Sequence, residues 1–96
     1  MAWTEQEIQR VWEKGQVALP NNPDEWRKDD CGAWLNRKQY GNRNSDFGWE
    51  IDHIRAGGSD SLSNLRPLQW KNNVDKSDGR LKCKVESIGT KNFAKN

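Results

Sequence analysis

Apolar and polar residues recur with two different periods along this chain, and the change of period marks out its elements. Ile8, Val11 and Trp12 fall at i, i+3 and i+4 on an otherwise charged segment, the stripe of an amphipathic helix. Ahead of them Thr4-Glu5-Gln6-Glu7 has the form of a capping box, and Gly15 stands where such a helix stops, so a helix is predicted over residues 5–14. Pro20, Asn21, Asn22 and Pro23 then impose a loop, with a short helical turn expected from Asp24 to Lys28 and Trp26 as its anchor in the core. Cys31 to Leu35 reads as a small strand, and Tyr40 to Ser45 as a turn.

From Trp49 the period becomes two. Trp49 and Ile51 alternate with Glu50 and Asp52, which predicts a strand with one buried face. The alternation fails at His53 and Ile54, so the strand is expected to end or bulge at Asp52-His53, letting two neighbouring polar side chains serve one site. Gly57 to Ser61 is a flexible connection, and Leu65 to Gln69 predicts a second short strand that forms a hairpin with the first. Trp70 and Val74 then predict the packing stripe of a short helix, with Asn73 and Lys76 at i, i+3 on an adjoining face. In this order of strand, loop, strand and helix, Asp52 and His53 can meet Asn73 across the unit. Beyond Asp78-Gly79 the chain is basic and poor in apolar residues, a tail ordered in part through Leu81, Val85 and Ile88.

Composition bears on whether this pattern can fold. Leu, Ile, Val and Phe make only 16 of 96 residues, a level at which disorder threatens, but six Trp supply large rings to a thin core. The length suits one domain. With a mean hydropathy of −1.18, no apolar run is long enough to cross a bilayer. The start lacks the basic and apolar regions of a secretion signal. Cys31 and Cys83 are too few for a four-thiolate zinc site and too isolated to define a disulfide framework, so both are expected to pack as free thiols in a reducing, cytoplasmic setting. Charge is uneven: residues 1–35 carry four basic and seven acidic groups, and residues 36–96 twelve and seven. The second part is therefore suited to an anion such as nucleic acid.

Trp49-Glu50-Ile51-Asp52-His53-Ile54, Gly57-Gly58-Ser59, Asn64-Leu65, Pro67-Leu68 and Asn72-Asn73-Val74-Asp75-Lys76 together resemble the core of the HNH endonucleases, the ββα-metal nucleases. Trp3, Trp12, Cys31-Gly32-Ala33-Trp34 and Tyr40-Gly41-Asn42 also resemble a group of short stand-alone HNH proteins of bacteria and phages. The resemblance implies a small α+β domain over residues 1–96, with an N-terminal helix in a scaffold over 1–47, a ββα-metal core over 48–79 and a basic tail over 80–96. It implies a divalent-metal-dependent DNA endonuclease that nicks one strand per event, as a monomer or weak dimer. A catalytically inactive DNA-binding module of the same shape is the alternative.

The resemblance also assigns roles. Asp52 would bind one divalent cation, with Asn73 as second ligand. His53 would be the general base, and Asn64 would tie the loop together and so aim His53. Asn73 stands where many members of the family have His, and an oxygen ligand there favours Mg²⁺ or Mn²⁺ over Zn²⁺. Asn72 is the alternative ligand, Asn73 being preferred because it keeps the Asn-x-x-Lys phase. Asn72 also stands where many members have a zinc-binding Cys, so no structural zinc is expected, nor any small-molecule cofactor or membrane contact. Arg37, Lys38, Arg43, Arg55, Arg66, Lys71, Lys76, Lys82 and Lys84 are the candidate DNA contacts, since phosphate binding needs Lys or Arg.

Overall fold

A computed structural model describes residues 3–74 and 80–95. Helix α1 spans Glu5–Trp12. It begins with the complete capping box: the Thr4 hydroxyl accepts from the Glu7 amide while the Glu7 carboxylate accepts from the Thr4 amide. Its stripe of Ile8, Val11 and Trp12 is buried. Three two-stranded antiparallel sheets follow: β1 (Trp26–Lys28) with β2 (Trp34–Asn36), β3 (Trp49–His53) with β4 (Leu65–Gln69), and β5 (Val85–Ile88) with β6 (Lys91–Ala94). Helix α2 (Trp70–Val74) leaves β4 without a connecting loop.

No two-stranded sheet is stable in water by itself, so the fold depends on what lies between the hairpins. Ile8, Val11, Trp12, Leu35, Trp49 and Leu65 form the core, with Trp3, Tyr40 and Ile51 packed against it. The rings of Trp12 and Trp49 lie 5.3 Å apart, and Tyr40 meets Trp49 edge-on at 4.9 Å. The aromatic residues thus compensate for the scarcity of aliphatics. The Cα radius of gyration is 12.4 Å, against about 12.5 Å for a compact chain of this length. The molecule is a small mixed α/β domain, and no helix among the described residues is long and apolar enough to cross a membrane.

Four expectations are corrected. The Asp24–Lys28 segment is not helical: Asn22 closes a single turn by accepting from the amides of Glu25 and Trp26, after which the backbone pairs with β2 and with Gln16. The second strand begins at Trp34 rather than Cys31, because Asp29 to Gly32 form a turn in which Gly32 has φ +82°. β3 ends at His53, without a bulge. Its register with β4 runs unbroken from Trp49↔Gln69 to His53↔Leu65, and polar Asp52 is buried because its cross-strand partner is Arg66. The inward residue of α2 is Asn72, whereas Val74 is exposed. The basic tail is a hairpin, turned at Gly89-Thr90 with φ +61° at Gly89.

The cysteines require a further correction. Cys31 and Cys83, expected as free thiols, form a disulfide across a separation of 52 residues. Nothing local signals it. The turn after β1 and the approach to β5 are brought together by tertiary structure, with Cα atoms 5.4 Å apart. The reducing setting inferred from two isolated cysteines therefore loses its premise.

Candidate functional site

The polar residues of β3–β4–α2 divide between the two faces of β3. Glu50 and Asp52 point to one face, Trp49, Ile51 and His53 to the other. Asp52 is only 6% exposed, and its Oδ2 accepts from Arg66 Nε at 2.8 Å. Arg66 also lies 3.6 Å from Asp30. Glu50 accepts twice from Arg43, at 2.6 and 3.0 Å, in a bidentate pair. Asn73 donates Nδ2–H to Glu50 at 2.9 Å. The first turn of α2 is therefore docked against the acidic face of β3 through Glu50. Burial opposes ionisation of Glu50, but hydrogen bonds from Arg43 and Asn73 and the guanidinium charge outweigh it, holding its carboxyl below the ordinary range.

Asn73 faces Glu50 because its neighbour Asn72 faces inward. Asn72 is 1% exposed. Its Oδ1 accepts from the amides of Lys84 and Val85, both at 2.8 Å, and its Nδ2 donates to Val85 O and Asp29 Oδ2. Asp29, equally buried, accepts in addition from the amides of Cys31, Ala33 and Gln69. Burial raises its pKa against the pull of these donors. This Asp29–Asn72 knot joins the β1–β2 turn, the end of β4, α2 and the C-terminal hairpin, and it fixes the rotation of α2 about its own axis.

His53 lies at the mouth of the β3–β4 loop, with its side chain about one-third exposed. Its Nε2 is 2.6 Å from Asp60 Oδ1, and its ring lies 6.0 Å from that of Trp3. Asn64 holds the loop closed: Oδ1 accepts from the Arg55 amide at 2.9 Å, and Nδ2 donates to Ser59 O at 2.8 Å. Gly58 makes room for it, because a Cβ there would come within 2.7 Å of Asn64 Nδ2. Asp52, Glu50 and Asn73 are thus brought to one face, while His53 starts from the opposite face of the strand.

The candidate DNA contacts separate in the same way. Lys38, Arg55, Lys71, Lys82 and Lys84 are exposed. Arg43 and Arg66 bind the acids of β3. Arg37 donates to Gln9 and lies over the Trp49 ring, so it is part of the scaffold. Lys76 lies outside the described residues.

Glu50, Asp60 and Asp29 were absent from the residues singled out in the sequence. Glu50 was within reach, since it shares the parity of Asp52 and stands two residues before it. Asp60 and Asp29 carry no local signal.

For a hard divalent cation the face offers oxygen donors from Asp52, Glu50 and Asn73, the ligand chemistry that Mg²⁺ and Mn²⁺ take. Among the described residues no group of three or more His, Cys, Asp or Glu side chains lies close enough together to hold a metal ion. Comparison with protein-family models, with curated proteins and with solved structures finds no match to this chain.

Proposed function

We propose that this protein is a divalent-metal-dependent DNA endonuclease with an HNH-type ββα-metal core, hydrolysing phosphodiesters and nicking one strand per event. The reading is supported by the β3–loop–β4–α2 unit, in which Glu50 and Asp52 share one face of β3, Asn73 binds Glu50, and His53 begins the connecting loop from the other face. The motif spacing of Asp52-His53, Asn64 and Asn73 supports it.

In this reading Asp52 and the amide oxygen of Asn73 would hold one Mg²⁺ or Mn²⁺, which would supply positive charge at the phosphate and the leaving oxygen. Asn73 gives its N–H to Glu50, and that bond sets the plane of its amide. His53 takes the proton of the attacking water. Asp60, 2.6 Å from His53 Nε2, orients the ring. Asn64 keeps the loop closed behind His53.

The test is incubation with supercoiled plasmid in Mg²⁺, Mn²⁺ or EDTA, beside His53→Ala. Open circles formed only with metal and only with His53 are expected. A second reading, a DNA-binding module without turnover, is favoured by one observation: the Asp52 carboxylate is buried against Arg66. DNA binding that survives both EDTA and His53→Ala, with no cleavage in either metal, would establish that reading in place of the first.

A further inference from the structure

The hairpin of β1 and β2 buries one side and turns the other away from the core. Pairing of Trp26↔Asn36, Arg27↔Leu35 and Lys28↔Trp34 puts Arg27 and Leu35 on the inner side, where Leu35 joins the core and Arg27 lies over the Trp12 ring. Trp26, Lys28 and Trp34 therefore share the outer side. Trp26 and Trp34 stand edge to face, with interplanar angle 82° and ring centroids 6.2 Å apart, and Phe47 meets Trp26 edge-on at 5.0 Å. The Trp34 indole donates to Gly89 O, which brings the turn of the C-terminal hairpin against it. Neither the aromatic core nor the β3–β4–α2 unit uses these rings.

A cleft of about 190 Å³ opens between these elements, lined by Asn21, Trp26, Trp34 and Thr90. Pockets for drug-sized ligands hold roughly 300–1,000 Å³, so this one has room for a single ring system. Its lining joins aromatic surface to groups that can hydrogen-bond. Among the described residues the side chains of Asn21, Trp26 and Thr90 make no hydrogen bond. Beside it the Lys28 ammonium lies 4.6 Å from the centroid of the Trp34 ring and forms no ion pair among the described residues. That ammonium already holds the aromatic face and repels a second cation, which argues against a cationic ligand. A flat ring with a polar edge and an anionic substituent is complementary to the whole arrangement.

We infer that this cleft binds an unpaired nucleotide, with its base stacked against Trp26 and Trp34, its polar edge bonded by Asn21 and Thr90, and its phosphate on Lys28. The inference goes beyond the nuclease reading: it needs nucleic acid as the ligand but neither metal nor cleavage, and it lies on elements outside the β3–β4–α2 unit. Every base has a π-face, so such a stack holds a strand without selecting its sequence. Bases inside a duplex keep their faces covered and do not enter.

The test is fluorescence anisotropy of a labelled oligothymidylate in EDTA, beside a blunt duplex of the same length. Near-ultraviolet circular dichroism checks the fold of each variant. Trp26→Leu is expected to weaken single-strand binding about 5- to 150-fold, the effect of losing one base–aromatic stack, and to leave duplex binding unchanged. Trp26→Phe, which keeps a ring, retains most of the affinity. Lys28→Gln is expected to make the plot of log affinity against log salt shallower by about 0.7, one phosphate contact on a single strand. Arg10→Gln, which removes an exposed charge from α1, leaves that slope as it is. Thymidine 5′-monophosphate as competitor separates the two sources of the ligand: displacement at concentrations comparable to the strand assigns the cleft to free nucleotides, and weaker displacement assigns it to a strand. Equal binding of the strand by Trp26→Leu and wild type, an equal loss for strand and duplex, or a wild type that binds no single strand would each overturn the inference. If Trp26→Leu does not fold, the Lys28→Gln slope decides, and an unchanged slope overturns it. The nuclease reading fails separately. An uncut plasmid with Trp26-dependent strand binding removes the chemistry and keeps the cleft, and cleavage without that dependence does the reverse.

Discussion

Asn72 and Asn73 are neighbours of identical chemistry with different tasks. Asn73 presents an amide to Glu50 at the surface of the unit, whereas Asn72 is buried in four hydrogen bonds that tie α2 to Asp29 and to the C-terminal hairpin. Truncating Asn72 to Ala would leave two backbone amides, a carbonyl and one side of a buried carboxylate short of partners. Each such orphan costs about 1–3 kcal/mol, and they do not add fully. Asn72→Ala is therefore expected to lower the unfolding free energy by roughly 3 kcal/mol, and Asn73→Ala by less than about 1 kcal/mol. Urea denaturation of the two variants checks this, and equal losses would show that α2 is not set by Asn72.

At the scale of elements, β3 works because its two faces meet different surroundings. Trp49 enters the core, while Glu50 and Asp52 take arginine partners from the 42–48 loop and from β4. The strand ends at His53, where its hydrophobic alternation fails, and a cross-strand Arg66 makes burial of Asp52 tolerable. The Glu50 pair has a definite pH signature. Its folded pKa lies below its ordinary value of 4.5, so its contribution to stability is present above that pH and is lost as pH falls through the lowered folded value. Glu50→Gln is expected to flatten this acid-side loss, by less than about 1 kcal/mol because Arg43 is exposed and the pair is screened. Asp29 acts in the opposite sense. Its folded pKa is raised above 3.8, so its contribution declines as pH rises from there to the folded value. Urea midpoints of wild type and Glu50→Gln against pH isolate the first effect, and parallel curves would refute it.

At the scale of the molecule, the described residues form three small hairpins with helices α1 and α2, held by an aromatic core, a buried polar knot and one disulfide. Asn92 adds a further tie, accepting from the Trp34 amide and donating to Trp34 O and Asp46 O, while the Trp34 indole donates to Gly89 O. Closing a loop of 52 residues restricts the unfolded chain by about 4 kcal/mol in the chain-entropy view. Cys31→Ser/Cys83→Ser, or reduction, is expected to lower stability by about 2–4 kcal/mol. Denaturation with and without a reductant measures it, and coincident curves would mean that the bridge constrains nothing.

Patterns of short range were legible in the residues themselves. The capping box and stripe of α1, the strands from Trp49 and from Leu65, and the helix following Gln69 all follow from spacing within a few positions, because capping, pleating and helical turns are local events. So did the positions of Asp52, His53, Asn64 and Asn73 within one unit. What joined residues distant in the chain was decided by tertiary structure: Cys31 with Cys83, Asp29 with Asn72, Arg43 with Glu50, and the C-terminal hairpin with α2. A buried carboxylate or amide is tolerated only where several donors converge on it, and a chain with so few aliphatic residues relies on such convergence to hold its pieces in place. That requirement sets which asparagine turns inward and which faces the candidate site.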